Sequence, residues 1–142
     1  MPNRQDIVDS ARSYLGVRFR HQGRTRVEGI DCAGLIILVG NQFNVVNFQA
    51  DNYSTRTNGD EFCQYFYNAG LRDVPFSELK PGDVVLTKTR DFPAHCGFIG
   101  EKHGQLTLIH AYKRRRKVTE EYLSQWEHTV SHCLRFPAFM EA

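Results

Sequence analysis

One stretch constrains this chain more than any other: I-D-C-A-G-L-I-I-L-V-G, residues 30–40. Asp31 is a good helix cap, and Leu35, Ile36, Leu38, Val39 and Phe43 follow at helical spacing. The segment is apolar nearly all round, and a helix of that kind must be covered on every side. It therefore predicts a central, buried helix starting near Asp31, around which the rest of the chain is laid. The chain has 142 residues, enough for one domain over 1–142 with a real core, burying roughly 70% of its unfolded surface. An aromatic content of 12% against 24% charged residues excludes a disordered chain.

Other elements follow from their own patterns. Asn3 caps a first helix with Ile7, Val8, Ala11, Tyr14 and Leu15 on one face and Gly16 as its stop. Residues 17–30 hold two glycines and four arginines without apolar period, and read as an ordered loop. A third helix starts at Asn58, with Glu61 as capping-box partner, Phe62, Tyr65, Phe66 and Ala69 on its face, and Gly70 at its end. From Pro81-Gly82-Asp83 the character changes to strands: Val84–Leu86, Cys96–Ile99, Leu106–Tyr112 and Val130–Phe136, with a turn at His103-Gly104. Glu120–Trp126 reads as a short helical turn. Helices first and antiparallel strands second make an α+β domain, N-terminal helices packed on a C-terminal antiparallel sheet.

The four cysteines, Cys32, Cys63, Cys96 and Cys133, include no C-x-x-C pair, which excludes zinc-ribbon, ferredoxin and thioredoxin-type sites. Cys32 falls in the first turn of the buried helix, where unpaired N–H groups and the helix dipole favour thiolate over thiol. Position alone favours a small core residue at a helix start. His95 begins a strand after a loop, and His110 interrupts the next, otherwise apolar, strand. Two histidines on neighbouring strands can be cross-strand partners, one orienting the other as base for the thiol; the alternative is a satisfied core histidine and a surface one. Cys96 should point away from His95 by strand alternation, and with Cys63 and Cys133 reads as a packing thiol. A metal site of Cys32, His95 and His110 lacks a fourth ligand, so neither metal nor organic cofactor is expected.

The formal net charge is only +2, from 18 Lys+Arg and 16 Asp+Glu, but the positive charges are clustered. Lys113, Arg114, Arg115, Arg116 and Lys117 form one run, and Arg18, Arg20, Arg24 and Arg26 another. No recognition helix or aromatic-rich strand accompanies the run, so it reads as a hairpin tip or docking patch rather than a nucleic-acid site. No apolar run is long enough to span a membrane. The polar opening M-P-N-R-Q-D-I has no apolar h-region, so no secretory signal is expected.

These motifs, in this order, resemble the NlpC-type, papain-like cysteine peptidases of bacterial cell walls. The likeness is closest to the branch found in phage tails and gene-transfer particles. A-R-S-Y-L-G-V-R-F-R-H-Q-G resembles that branch's opening segment, G-I-D-C-A-G-L its nucleophile motif, and L-K-P-G-D-V-V-L with A-H-C-G-F-I its histidine-bearing strand pair. L-T-L-I-H-A-Y, K-V-T-E-E-Y-L and C-L-R-F-P also fit. The resemblance implies three helices and an antiparallel sheet, Cys32 as nucleophile, His95 as general base and His110 as its orienting residue. It implies a peptidoglycan stem peptide as substrate, cut between D-Glu and a diamino acid, with Asp31 near the substrate's amino end. Ala33 stands where many members have Ser, and Phe19 where many have Tyr; His21, beside Phe19, is a candidate for the missing polar contact. It also implies a virion-borne hydrolase acting in the cell wall, with delivery on a particle in place of a signal peptide and the basic run docking on tail hub proteins. A structural tail-tip module, or a papain-like amidase or acyltransferase, would use the same scaffold.

Overall fold

A computed structural model describes residues 2–45 and 59–140. Helix α1 spans Arg4–Arg12, capped by Asn3 in a reciprocal capping box with Asp6. It ends at Arg12, before Gly16, because the chain turns at Ser13 to reach the sheet edge. Two short strands, β1 (Arg24–Thr25) and β2 (Gly29–Ile30), pair antiparallel within the expected loop. Helix α2 spans Cys32–Gln42. Ala33, Leu35, Ile36 and Val39 along it have no exposed surface, as an all-apolar helix requires. Helix α3 spans Gly59–Asn68 and buries Phe62 and Phe66. The expected start at Asn58 lies outside the described residues.

The second half is strands: β3 (Arg72–Asp73), β4 (Val84–Thr87), β5 (His95–Lys102), β6 (Gln105–Tyr112), β7 (Lys117–Tyr122) and β8 (Val130–Arg135). They form one antiparallel sheet in the order β3-β8-β4-β5-β6-β7. The architecture is α+β, as the order of patterns predicts. One sheet face, through Leu86, Cys96, Phe98, Ile109, Ala111, Val118 and Leu134, packs on the helices. The other carries a smaller cluster of Val85, Ile99, Leu108, Leu123 and Trp126.

One expected element is wrong. Glu120 and Glu121 lie in strand β7, not in a helical turn; only Leu123–Gln125 forms a single 3-10 turn. Adjacent glutamates favour a helix in isolation, but here each faces a different side of an edge strand and finds partners there. Glu120 accepts from Arg12 Nη2 (2.9 Å) and Thr107 Oγ1 (2.7 Å), tying α1 to the sheet. The edge of β7 is covered by the opening segment: Val118 N–H donates to Val17 O (2.8 Å) and Phe19 N–H to Arg116 O (2.8 Å). An edge strand closed in this way offers no template for further pairing.

A buried carboxylate joins the two halves. Asp83 has no exposed surface. Arg135 donates to both its oxygens (Nε and Nη2, 2.9 Å each), Arg4 Nη1 donates at 2.9 Å, and the Lys80 N–H at 2.9 Å. Removing one partner of a buried ion pair leaves the other uncompensated and costs about 3–5 kcal/mol. Asp83→Ala should therefore lower unfolding free energy by about that amount in urea titration. Arg4→Ala should cost clearly less, since the Arg4 side chain is 25% exposed.

Candidate active site

Cys32 is the first residue of α2, and the strands bring a chain of ionisable groups to it. Asp31 caps the helix, its Oδ1 accepting the Gly34 N–H at 2.8 Å. Gly34 is required there: a Cβ would lie 2.8 Å from Arg24 Nη1 and 2.9 Å from Asp31 Oδ1. The turn thus fixes the thiol at the positive end of a helix dipole. Cys32 is only partly covered, whereas its neighbours Asp31 and Ala33 are buried.

His95 and His110 are both buried, and His95 Nε2 lies 2.7 Å from His110 Nδ1. His110 Nε2 in turn lies 2.8 Å from Glu121 Oε1, and Arg115 Nη2 is 3.5 Å from the other Glu121 oxygen. Proton positions follow along this chain. An ionised carboxylate only accepts, so His110 Nε2 carries the proton. Burial, the main cause, holds the His110 pKa at about 4, so its ring is neutral at neutral pH and Nδ1 accepts. His95 Nε2–H therefore donates to His110, and Nδ1 is the ring nitrogen not used in this chain. Glu121 is held below its ordinary value, first by its hydrogen bond to His110.

Two features make room for the pair. A Cβ at Gly97 would fall 2.9 Å from His110 Cβ and 2.6 Å from Leu108 Cδ1, so the glycine allows His110 to pack against β5. Tyr112 stacks on His110 (centroids 5.1 Å, 18°), and the Trp126 ring lies 4.9 Å from His110 and 5.8 Å from His95. This aromatic box restrains both rings and lowers the local dielectric.

Cys96 lies on the opposite sheet face from the His95 ring, as alternation predicts, but that face carries Cys32. The Cys32 pKa is lowered to about 5, first by the Cys96 thiol and then by His95, against the opposing effect of burial. Cys96 itself is pushed well above its ordinary value, mainly by burial.

The remaining expected residues are placed differently. Asp31 is 2% exposed, and its carboxylate also accepts from the Gln22 N–H (2.7 Å) and Arg24 Nη1 (3.2 Å). Its carboxylate staples the loop to the helix. His21 Nδ1 is 3.7 Å from that carboxylate on an exposed side chain. Ala33, matched to a substrate-holding position, is turned wholly into the core and offers no surface to a ligand. Phe19 packs against the main core, its backbone bridged to Ile30. Glu121, Cys96, Tyr112 and Trp126 escaped the sequence reading. Two-residue alternation through K-V-T-E-E-Y would have put Glu121 on the face of His110, had the glutamates not suggested a helix.

Iodoacetamide alkylation of Cys32, followed against pH, should rise with a midpoint near pH 5 and stay level through neutrality. Cys133, pushed by burial to about 11, should react slowly throughout. A Cys32 midpoint near 9 would contradict the geometry.

The model of the NlpC/P60 family matches residues 16–135. The gamma-DL-glutamyl hydrolase of Bacillus subtilis (strain 168) is 30% identical over 132 residues, which make up 92% of this chain. The chain spans only 29% of that relative's length. Among solved structures, an NlpC/P60 family protein from Bacillus cereus ATCC 10987 superposes with a TM-score of 0.71 at 16% identity, over 95% of this chain and 40% of that one. The NlpC/p60 domain of the peptidoglycan hydrolase SagA gives 0.68 at 19% identity, over 94% and 98% of the two chains. With its thiol at a helix start, a paired histidine behind it and most of its length matched by the family model, the chain belongs to the NlpC/P60 family.

Proposed function

We propose that this protein is a cysteine peptidase that hydrolyses the stem peptide of peptidoglycan at the bond between D-Glu and a diamino acid. The observation that carries the reading is the Cys32 thiol at a helix start together with the His95–His110–Glu121 hydrogen-bond chain, whose proton positions leave His95 Nδ1 available as a base. Family membership and the hydrolases among its relatives support the same reading.

The mechanism follows from the chain. The Cys32 proton passes to His95 Nδ1, and the thiolate attacks the amide carbonyl. The imidazolium at His95 keeps its Nε2–H on neutral His110, and the Glu121 charge beyond stabilises it. A charged His110 would repel it, so the buried, neutral ring is what the step needs. The Cys32 N–H, at the first helical position, has no intrahelical acceptor and is placed to donate to the developing oxyanion. His95 then protonates the leaving amine, and water hydrolyses the thioacyl enzyme.

A γ-linked glutamyl residue keeps a free α-carboxylate, and the site is rimmed by positive charge. Arg18 bridges Lys117 across the sheet edge, so the two basic clusters of the sequence form one surface. Arg115 reaches Glu121, and Arg114 pairs with Asp91. The same surface, with Lys113 and Arg116, favours a second role as a docking face for an acidic tail-hub protein. Together with the likeness of the opening segment to the phage-tail branch, it supports delivery of the enzyme to the wall on a particle.

Purified peptidoglycan incubated with the protein should release peptide fragments whose new amino end is the diamino acid, leaving a stub ending in D-Glu on the glycan, and Cys32→Ala should release none. Equal release by both, or release of intact stem peptides from the glycan as an amidase would give, would overturn the assignment. Glu121→Gln should slow hydrolysis about tenfold to a hundredfold, the worth of a hydrogen bond to a charged group of ~1.5–3 kcal/mol. Its amide donates as well as accepts, so it no longer fixes the His110 tautomer.

A further inference from the structure

We propose that Asp91 and Arg114 form a specificity site for the far end of the diamino acid. They select a side chain that ends in both an amino and a carboxyl group, as in diaminopimelate, over lysine. The inference rests on the peptidase reading for the direction in which the substrate lies. His95 protonates the leaving amine, so the diamino acid that owns this amine lies on the His95 side of the thiol. Its side chain then runs over the residues that surround His95 there.

A continuous stack leads from the base to the pair. The His95 and Tyr112 ring centroids are 5.4 Å apart, and those of Tyr112 and Phe92 are 5.7 Å apart. The Arg114 guanidinium lies 5.4 Å from the Phe92 centroid, and its Nη2 donates to Asp91 Oδ2. Asp91 precedes His95 by four residues, so chain length alone keeps their Cα atoms within ~14 Å.

Both segments are held. In the loop before β5, the Thr89 N–H donates to Phe92 O (3.0 Å) and the Phe92 N–H to Thr89 Oγ1 (3.0 Å). Arg114 sits in a single 3-10 turn, Lys113–Arg115, that directly follows Tyr112. The two charges are thus fixed, yet each side chain stays 60% exposed. An ion pair so open to solvent adds little to stability, and no step of the hydrolysis uses it.

Its arrangement suits a zwitterion. A guanidinium has five N–H donors, and Asp91 takes one of them. The others can hold a carboxylate in the two-pronged geometry that arginine favours. Asp91 Oδ1 takes no part in the bond to Arg114 and can accept from an ammonium. The far end of diaminopimelate is then matched charge for charge, carboxylate on Arg114 and ammonium on Asp91, with its methylenes along Phe92 and Tyr112. Lysine brings the ammonium alone and leaves the guanidinium unanswered.

Three synthetic peptides test this. Each begins L-Ala-γ-D-Glu and ends in meso-diaminopimelate, in the same residue amidated at its far carboxyl, or in L-Lys. The whole protein should cleave the first with a kcat/KM about tenfold above the other two, as expected for a charge-assisted hydrogen bond. Arg114→Gln should bring the first peptide down to the level of the second, and Arg114→Lys should keep part of the difference. Arg90→Gln, which removes an exposed charge beside Asp91, should leave the ratio as it is. Equal kcat/KM for the first two peptides in wild type would overturn the proposal. So would an Arg114→Gln protein that loses activity on all three alike, because a merely structural pair does not move the ratio. Calorimetric binding of the same peptides to Cys32→Ala reads the preference without hydrolysis. Tighter binding of the first peptide, with no cleavage of any by wild type, would keep this inference and remove the peptidase reading. Equal binding of all three would remove this inference.

Discussion

Everything at the site depends on the burial of α2. A helix apolar on all sides has no stable place except between other layers, and here it lies against the sheet and α1. That packing fixes where its amino end emerges, and the cap by Asp31 fixes the direction of the first turn. Cys32 is therefore placed by the core. Gly34 and the Arg24–Asp31 contact hold the loop before it close to the helix start. The acid so used is structural in effect: its oxygens are spent on the Gln22 and Gly34 N–H groups and on Arg24.

The second layer is the relay in the sheet. Burial keeps His110 neutral between an ionised Glu121 and His95. Tyr112 and Trp126 exclude water from the rings, and Gly97 supplies the space that lets the two strands bring them together. On the other side of β5, Cys96 packs on the face that carries α2.

The sheet edge links the site to the surface. Because residues 16–19 lie along β7, they close the edge and carry the first arginine cluster to the basic turn after β6.

Much of this was legible in the residues themselves. Period and caps revealed the helices, alternation most strands, and the placement of Cys32, His95 and His110 in their elements followed from local signals with no contact information. The roles of Glu121 and Cys96 were not legible. Glu121 depends on β7 being a strand, which the sheet imposes against the helical preference of two glutamates. Cys96 depends on which sheet face receives α2, and alternation says only that it opposes His95. Local spacing along the chain thus determined the elements and the reactive residue types. Only tertiary packing decided which groups meet, because hydrogen bonds among His95, His110 and Glu121 join three strands that no short-range pattern relates.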